Sequence, residues 1–248
     1  MFTSKKIISI SKVIFLSSIL FLITTDKSYS QVNTDKLVNN VEDKISNYYT
    51  ENFQVSADEK GVVTIGGEVG TLYDKLKIGE LISQVAGVKE INNKISVQNE
   101  ITANNIIKDN IENELQRNDA ILEPEKIKVE VNNGIVTLSG SVSYFREKQM
   151  AETIASWQDG VSDLINNINV MSPATAKSDA NLTEIIIDLL NKNYSLENNV
   201  KFDTNNGIVD LYGTVTSLYA KNHIQEDIQH IIGVKTVINE ISVVNNNE

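Results

Sequence analysis

Two histidines are the residues in this chain whose type and spacing come closest to metal chemistry. His223 and His230 lie seven residues apart, so a helix would place both side chains on one face. A metal site built on them needs a third protein ligand, and the sequence identifies none. We therefore interpret both histidines as solvated helix residues.

A short acidic turn also has the composition of a ligand site. The segment from Asp203 to Gly207 is rich in side-chain oxygens, as calcium-binding loops are. Its glycine stands at the fifth position rather than the sixth, and no glutamate stands at the twelfth. A hairpin turn explains the segment.

The sequence has no cysteine, which excludes disulfides and thiolate metal sites. We expect no enzyme, and no catalytic, cofactor-binding or metal-binding residue.

The elements that position these residues follow from a repeat of 73 residues. Three sets of glycines share this step: Gly61, Gly134 and Gly207; Gly67, Gly140 and Gly213; Gly87, Gly160 and Gly233. An asparagine shares it too, at Asn93, Asn166 and Asn239. A repeat of this length indicates a chain of similar structural units. Residues present in all three copies are predicted to serve the fold, whereas the histidines occur in one copy only.

Each copy predicts the same order of elements. An apolar stripe at helical spacing comes first, as at Leu37, Val41 and Ile45. A hairpin follows, and the second and third copies turn through Asn133-Gly134 and Asn206-Gly207. A second helix then ends at a glycine, and a third strand closes the copy. We predict an α+β fold of three tandem α-β-β-α-β modules, each a small three-stranded mixed sheet packed by two helices.

The first thirty residues precede the repeat and have the pattern of a secretory signal peptide. Lys5, Lys6 and Lys12 lead into an apolar run from Val13 to Ile23, and small residues follow at Ser28 and Ser30. The run is too short to span a bilayer, which takes roughly 20 helical residues. We predict that residues 1–30 are cleaved and that the chain is exported to the periplasm. An uncleaved anchor is the alternative.

Charge narrows the choice of partner. Residues 1–30 hold four lysines and one aspartate, so without them the 22 basic and 33 acidic residues become 18 and 32, a net charge of −14. Nucleic acid is therefore not expected as a partner, because phosphate binding requires clustered lysine and arginine. Simple adhesion to anionic lipid is disfavoured for the same reason.

The hairpin and third-strand patterns resemble the BON domain (bacterial OsmY and nodulation domain). The resemblance rests on the segment from Gly134 to Val142 and on Gly160-Val161, and the third copy matches equally from Gly207 to Val215. The first copy departs at its turn, where Glu59-Lys60-Gly61 replaces Asn-Gly and predicts a different turn. We predict modules at residues 34–98, 103–171 and 179–245.

The resemblance implies a function as well as a fold. BON domains are associated with exported and envelope proteins, with binding of phospholipid or other envelope surfaces, and with osmotic and envelope stress. Some members assist periplasmic proteins. The family has no catalytic motif that would transfer a chemical role to a residue of this chain.

Apolar residues at the start of each second helix are the candidate surface contacts. They lie off the predicted core stripe, at Leu72 and Tyr73, Tyr144 and Phe145, and Leu218 and Tyr219. They would insert into a membrane interface or hold a client segment. Alternatively, they cover the hairpin end or the neighbouring module. Trp157 is the single tryptophan and is not repeated, so it is either a further contact or a module-interface residue.

These observations predict a non-enzymatic, exported envelope protein that binds phospholipid or another envelope surface through several weak contacts. A periplasmic chaperone-like protein of osmotic or envelope stress is the alternative. The sequence leaves open the identity of the ligand or client, the arrangement of the modules and the oligomeric state.

Overall fold

The computed structural model describes residues 33–98, 102–171, 178–197 and 199–244. The predicted signal peptide at residues 1–30 lies outside these ranges. Within them, no helix is both long enough and apolar enough to cross a membrane.

The described residues form three modules with the predicted order of elements. The first contains α1 (Thr34–Ser46), β1 (Gln54–Ala57), β2 (Val62–Val69), α2 (Leu72–Ser83) and β3 (Glu90–Val97). The second contains α3 (Asn104–Arg117), a 3₁₀ turn (Pro124–Lys126), β4 (Ile127–Asn132), β5 (Ile135–Val142), α4 (Phe145–Ser156) and β6 (Asp163–Val170). The third contains α5 (Asp179–Asn193), β7 (Val200–Asn205), β8 (Ile208–Val215), α6 (Leu218–Gln229), β9 (Thr236–Asn239) and β10 (Ser242–Val243).

Each module has a mixed sheet with its second strand in the centre. In the first module β1 pairs antiparallel with β2, and β3 pairs parallel with β2. The second module repeats this arrangement. The third module differs because its last strand is divided into β9 and β10, both parallel to β8. The predicted α+β fold is therefore confirmed.

Each module also has a hydrophobic core of its own. In the first module, Val41 of α1, Val63 and Ile65 of β2, and Ile78 and Ile82 of α2 are fully buried. They belong to one cluster, which fills the space between the two helices and the sheet. The apolar spacing read from the sequence therefore marks the core face of both helices.

The hairpin turns follow the prediction and show why glycine repeats there. Asn133 and Gly134 both have positive φ, at 51° and 77°, as the Asn-Gly turn requires. A Cβ on Gly134 would lie 2.7 Å from the carbonyl oxygen of Gly160 at the end of the second helix. In the first module the turn is built differently, because Asp58 Oδ1 accepts hydrogen bonds from the amides of Lys60 and Val62.

The repeated asparagine ties the third strand to the second helix. Asn93 Nδ2 donates to the carbonyl oxygen of Lys75 in α2 at 2.8 Å, and its Oδ1 accepts from the amide of Ile95 at 3.2 Å. The other two modules make the same pair of bonds, from Asn166 and Asn239. Because a half-buried amide must find partners for both of its ends, this position specifies how the helix sits on the strand.

We expect Asn93→Ala to lower the free energy of unfolding by about 1–2 kcal/mol, because both hydrogen bonds of the amide are lost. Denaturant unfolding of the purified protein measures the effect. Asn92→Ala is the matched control, since Asn92 is exposed on the opposite face of the same strand. Equal destabilisation by the two substitutions would contradict the role assigned to Asn93.

Candidate functional site: the junction of the three second helices

The candidate contact residues lie where the second helices α2, α4 and α6 begin. Leu72, Phe145 and Leu218 are the first residues of these helices. Thr71 Oγ1 and Ser217 Oγ cap α2 and α6 by accepting hydrogen bonds from backbone amides of the first turn. The apolar residues therefore stand in or beside the first turn of each second helix. Their surroundings differ from one module to the next.

The first junction joins the first module to the second. Leu72 is only 3% exposed, and it belongs to the core cluster of the second module rather than that of its own. Beside it, the ring of Tyr73 lies 4.5 Å from the ring of Trp157, centroid to centroid. Trp157 is the C-terminal cap residue of α4. The start of α2 thus docks on the second module, with an aromatic contact at the end of α4.

The second junction joins the second module to the third. The ring of Phe145 meets the ring of His230 edge to face, with centroids 5.3 Å apart. His230 is the C-terminal cap residue of α6. A hydrogen bond also crosses this junction, from Gln149 Nε2 to Glu226 Oε1 at 2.9 Å. The start of α4 therefore meets the end of α6, much as the start of α2 meets the end of α4.

The third junction joins the third module to the first. Leu218 is half-buried and packs against the core cluster of the first module. The three modules therefore form a closed ring, in which modules that are far apart in sequence touch.

In the first two junctions the N-terminus of one second helix lies near the C-terminus of the next. The opposite ends of two helix dipoles attract, so this arrangement is favourable.

The remaining candidate contacts are more accessible. Tyr144 is half-buried, with the guanidinium of Arg146 lying 5.0 Å from the centre of its ring. Tyr219 is 39% exposed, and Trp157 is 57% exposed despite its contact with Tyr73. Module packing thus buries Leu72 and leaves Tyr219 and Trp157 available to a partner. Their role as ligand contacts stays a prediction.

The two histidines lie in different surroundings. His223 stacks on Tyr219 with ring centroids 3.8 Å apart. His230 is exposed, with its Nδ1 atom 2.8 Å from the carbonyl oxygen of Glu226, and it contacts Phe145. Across the described ranges, no group of three or more histidine, cysteine, aspartate and glutamate residues is placed to hold a metal ion.

The acidic turn at residues 203–207 is part of a hairpin. Its amides are bound by a carboxylate that the sequence did not single out. The Asp179 oxygens accept from the amides of Asn206 at 2.7 Å and Gly207 at 2.9 Å. Asp179 is the first residue of α5, so this pair of bonds fixes the hairpin turn against the first helix of its module.

A cavity of about 570 Å³ opens between α2, α4 and α6. All three modules line it, through residues that include Tyr73, Lys77, Lys148, Gln149 and Glu226. Sequence reasoning missed this cavity because most of its lining is polar, as solvent-exposed helix positions are. A surface shared by three helices becomes visible only when their packing is known.

A buried carboxylate lies two residues after Phe145, the aromatic residue of the second junction. Glu147 in the first turn of α4 is 1% exposed, and its Oε1 atom has no hydrogen-bond partner within the described residues. The equivalent residue of the first module, Asp74, accepts hydrogen bonds from Thr71 and Tyr49. The third module has Ala220 at this position. A carboxylate oxygen that is buried without a partner is destabilising.

The fold and the three junctions define the class of the protein. It consists of repeated small α-β-β-α-β modules that contact one another through the starts of their second helices. The BON domain family matches it three times, at residues 33–99, 103–172 and 178–245. The chain therefore belongs to the BON domain family, as its sequence pattern predicts.

One similar protein is the osmotically-inducible protein Y of Escherichia coli (strain K12). It is 28% identical over 121 residues, which cover 46% of this chain and 60% of that protein. The chain therefore matches less than two thirds of the relative's length.

Two solved structures show weak similarity. The C-terminal domain of CdsD, a structural protein of the Chlamydia trachomatis type III secretion system, is 16% identical with a TM-score of 0.23, over 86% of this chain and 98% of that chain. The PrgH periplasmic domain is 12% identical with a TM-score of 0.20, over 77% of this chain and 94% of that chain. TM-scores this low carry no argument about the arrangement of the modules.

We expect Leu72→Ala to weaken docking of the first module on the second by about 2–5 kcal/mol, because a fully buried leucine loses most of its side chain. Trp157 lies beside this contact, so its fluorescence reports the change. The emission should shift to longer wavelength as the ring becomes more exposed to water. Leu76→Ala is the control, since Leu76 lies on the same helix and is 45% exposed. An unchanged emission spectrum for Leu72→Ala would contradict the docking role.

We expect Glu147→Met to raise the free energy of unfolding by about 1–3 kcal/mol, because an apolar side chain of similar size removes the buried oxygen without a partner. Thermal unfolding checks the sign. Glu152→Met on the same helix should do the opposite, because Glu152 Oε2 accepts a hydrogen bond from Asn166. A lower melting temperature for Glu147→Met would show that its carboxylate is stabilising.

Proposed function

We propose that this chain is an exported, non-enzymatic protein of the bacterial envelope that binds phospholipid or another envelope surface through its three BON modules. The observation that carries the proposal is the family match, which recurs three times and covers most of the chain after residue 32. The relative named for osmotic induction supports a role in osmotic stress. The signal-peptide pattern of residues 1–30 supports a periplasmic location.

The proposed binding mode is led by apolar and aromatic contacts rather than by charge. Without residues 1–30 the chain has 18 basic and 32 acidic residues, so a phosphate surface gains little electrostatic attraction from it. Tyr219 and Trp157 are exposed at 39% and 57%, and aromatic rings of this kind suit the water–lipid interface. Leu72 makes no such contribution in this proposal, because the second module covers it.

Co-sedimentation of residues 31–248 with phospholipid vesicles tests the proposal. We expect binding to phosphatidylethanolamine vesicles both with and without phosphatidylglycerol. High salt should not weaken it, because counterion release contributes little when the contacts are apolar. Tyr219→Ser should lower the bound fraction severalfold. Tyr48→Ser is the matched control, because Tyr48 is 64% exposed and follows the first helix of the first module rather than starting a second helix.

Two outcomes would redirect the proposal. An absence of binding at every lipid composition would remove the lipid surface as the partner. If the same protein then suppressed the aggregation of several unrelated clients without lipid, the chaperone-like alternative would be favoured. The acidity of the chain is the observation behind that alternative, because a high net charge keeps a protein soluble while it holds an apolar client.

A further inference from the structure

The cavity between α2, α4 and α6 has the size of a small-molecule site. Its volume of about 570 Å³ falls within the range of roughly 300–1,000 Å³ that is usual for ligand pockets. It lies at the meeting point of three modules, which is a common location for such pockets. Its walls carry two aromatic rings, from Tyr73 and Phe145, among polar side chains.

The lining offers hydrogen-bond donors that no other described residue uses. Lys148 is half-buried, and burial lowers the pKa of its ammonium although Glu152 lies close enough to oppose this. Within the described residues, Lys148 Nζ has no hydrogen bond or ion pair. The same holds for the hydroxyl of Tyr73 and for the side-chain amides of Asn222 and Gln229, which also line the cavity. Glu152 also lines the cavity but makes no direct ion pair with Lys148, so a bound anionic group would give the partly desolvated ammonium a direct partner.

The lining also contains three carboxylates, from Glu80, Glu152 and Glu226. Glu226 Oε1 accepts a hydrogen bond from Gln149, and its other oxygen takes none from the described residues. Glu80 binds Lys77 at 2.8 Å through Oε2 alone. The cavity therefore presents negative as well as positive groups rather than a purely basic wall. A simple anion would be repelled by these carboxylates, and a simple cation would be repelled by the two lysines.

We propose that this cavity binds a small zwitterion, a molecule that carries an anionic group and an ammonium group a few bonds apart. The anionic group meets Lys148 and donors of the cavity lining, and the ammonium group meets the carboxylates of Glu226 and Glu80. The two aromatic rings pack against the body of the ligand, and a ring face also attracts a cation.

The repeat supplies matched controls for this site. Lys75, Lys148 and Lys221 occupy the same position in the three modules, separated by the step of 73 residues. Among them, only Lys148 lines the cavity, whereas Lys221 borders an adjoining gap between the third and first modules that shares Glu80 with the cavity. Replacing each lysine by methionine keeps the length of the side chain and removes its charge.

Isothermal titration calorimetry with residues 31–248 and phosphoethanolamine tests the site. Inorganic phosphate and ethanolamine, titrated separately, represent the two halves of the probe. We expect phosphoethanolamine to bind at least tenfold more tightly than either half. Because Trp157 stacks on Tyr73, which lines the cavity, its fluorescence should change over the same concentration range.

Variants assign the binding to this cavity. Lys148→Met should weaken phosphoethanolamine binding at least tenfold, whereas Lys75→Met and Lys221→Met should leave it unchanged. Glu226→Gln should weaken it while leaving the affinity for inorganic phosphate unchanged or raised. The proposal is overturned if phosphoethanolamine does not bind, if phosphate alone binds as tightly, or if all three lysine variants lose affinity equally.

A zwitterion of this kind exists both as a free molecule and as the headgroup of a lipid. Competition distinguishes these sources: free phosphoethanolamine should displace the protein from phosphatidylethanolamine vesicles only if the headgroup enters the cavity. The site does not depend on the proposed envelope function. Vesicle binding can fail while phosphoethanolamine still binds, and binding to vesicles can persist in Lys148→Met.

Discussion

The arrangement of this chain depends on the docking of each second-helix start against another module. A unit of about 70 residues buries only a modest fraction of its surface when it folds alone, so covering an exposed apolar end is a large gain for it. Leu72 shows this most clearly, because its side chain completes the core of the second module rather than that of its own. Phe145 and Leu218 follow the same principle at the other two junctions. Closing the ring brings α2, α4 and α6 together, and their polar faces then line the cavity that opens between them.

Much of the fold was predictable from the sequence, because the signals that specify it are local. The apolar spacing of residues such as Val41 and Ile78 marked the core, and Asn133-Gly134 marked the hairpin. The repeat also indicated that Asn93 serves the fold. Its partner was not predictable, because the carbonyl oxygen of Lys75 is 18 residues away in sequence and belongs to an ordinary helical residue.

The candidate site was predictable only in part. The sequence drew attention to the helix starts and to Trp157, and it left open whether they face a ligand or a neighbouring module. That choice depends on how whole modules pack, which helical spacing does not encode. His230 illustrates the difficulty, because its absence from the other copies suggested a solvated residue, yet it contacts Phe145. The cavity lining was not recognisable in the sequence. Equivalent positions of the three helices line it, as at Glu80, Thr153 and Glu226, but a polar helix position faces solvent in the same pattern.

The three junctions are chemically unlike one another, although the modules that form them are alike. Leucine and tyrosine meet tryptophan at the first, phenylalanine meets histidine at the second, and leucine meets an aliphatic core at the third. The side chains at each junction therefore make the contact between two particular modules specific. Two things therefore specify the order of the modules around the ring: the covalent chain and these contacts. Cleavage of the chain between two modules would break the covalent link and leave the contacts that specify their order.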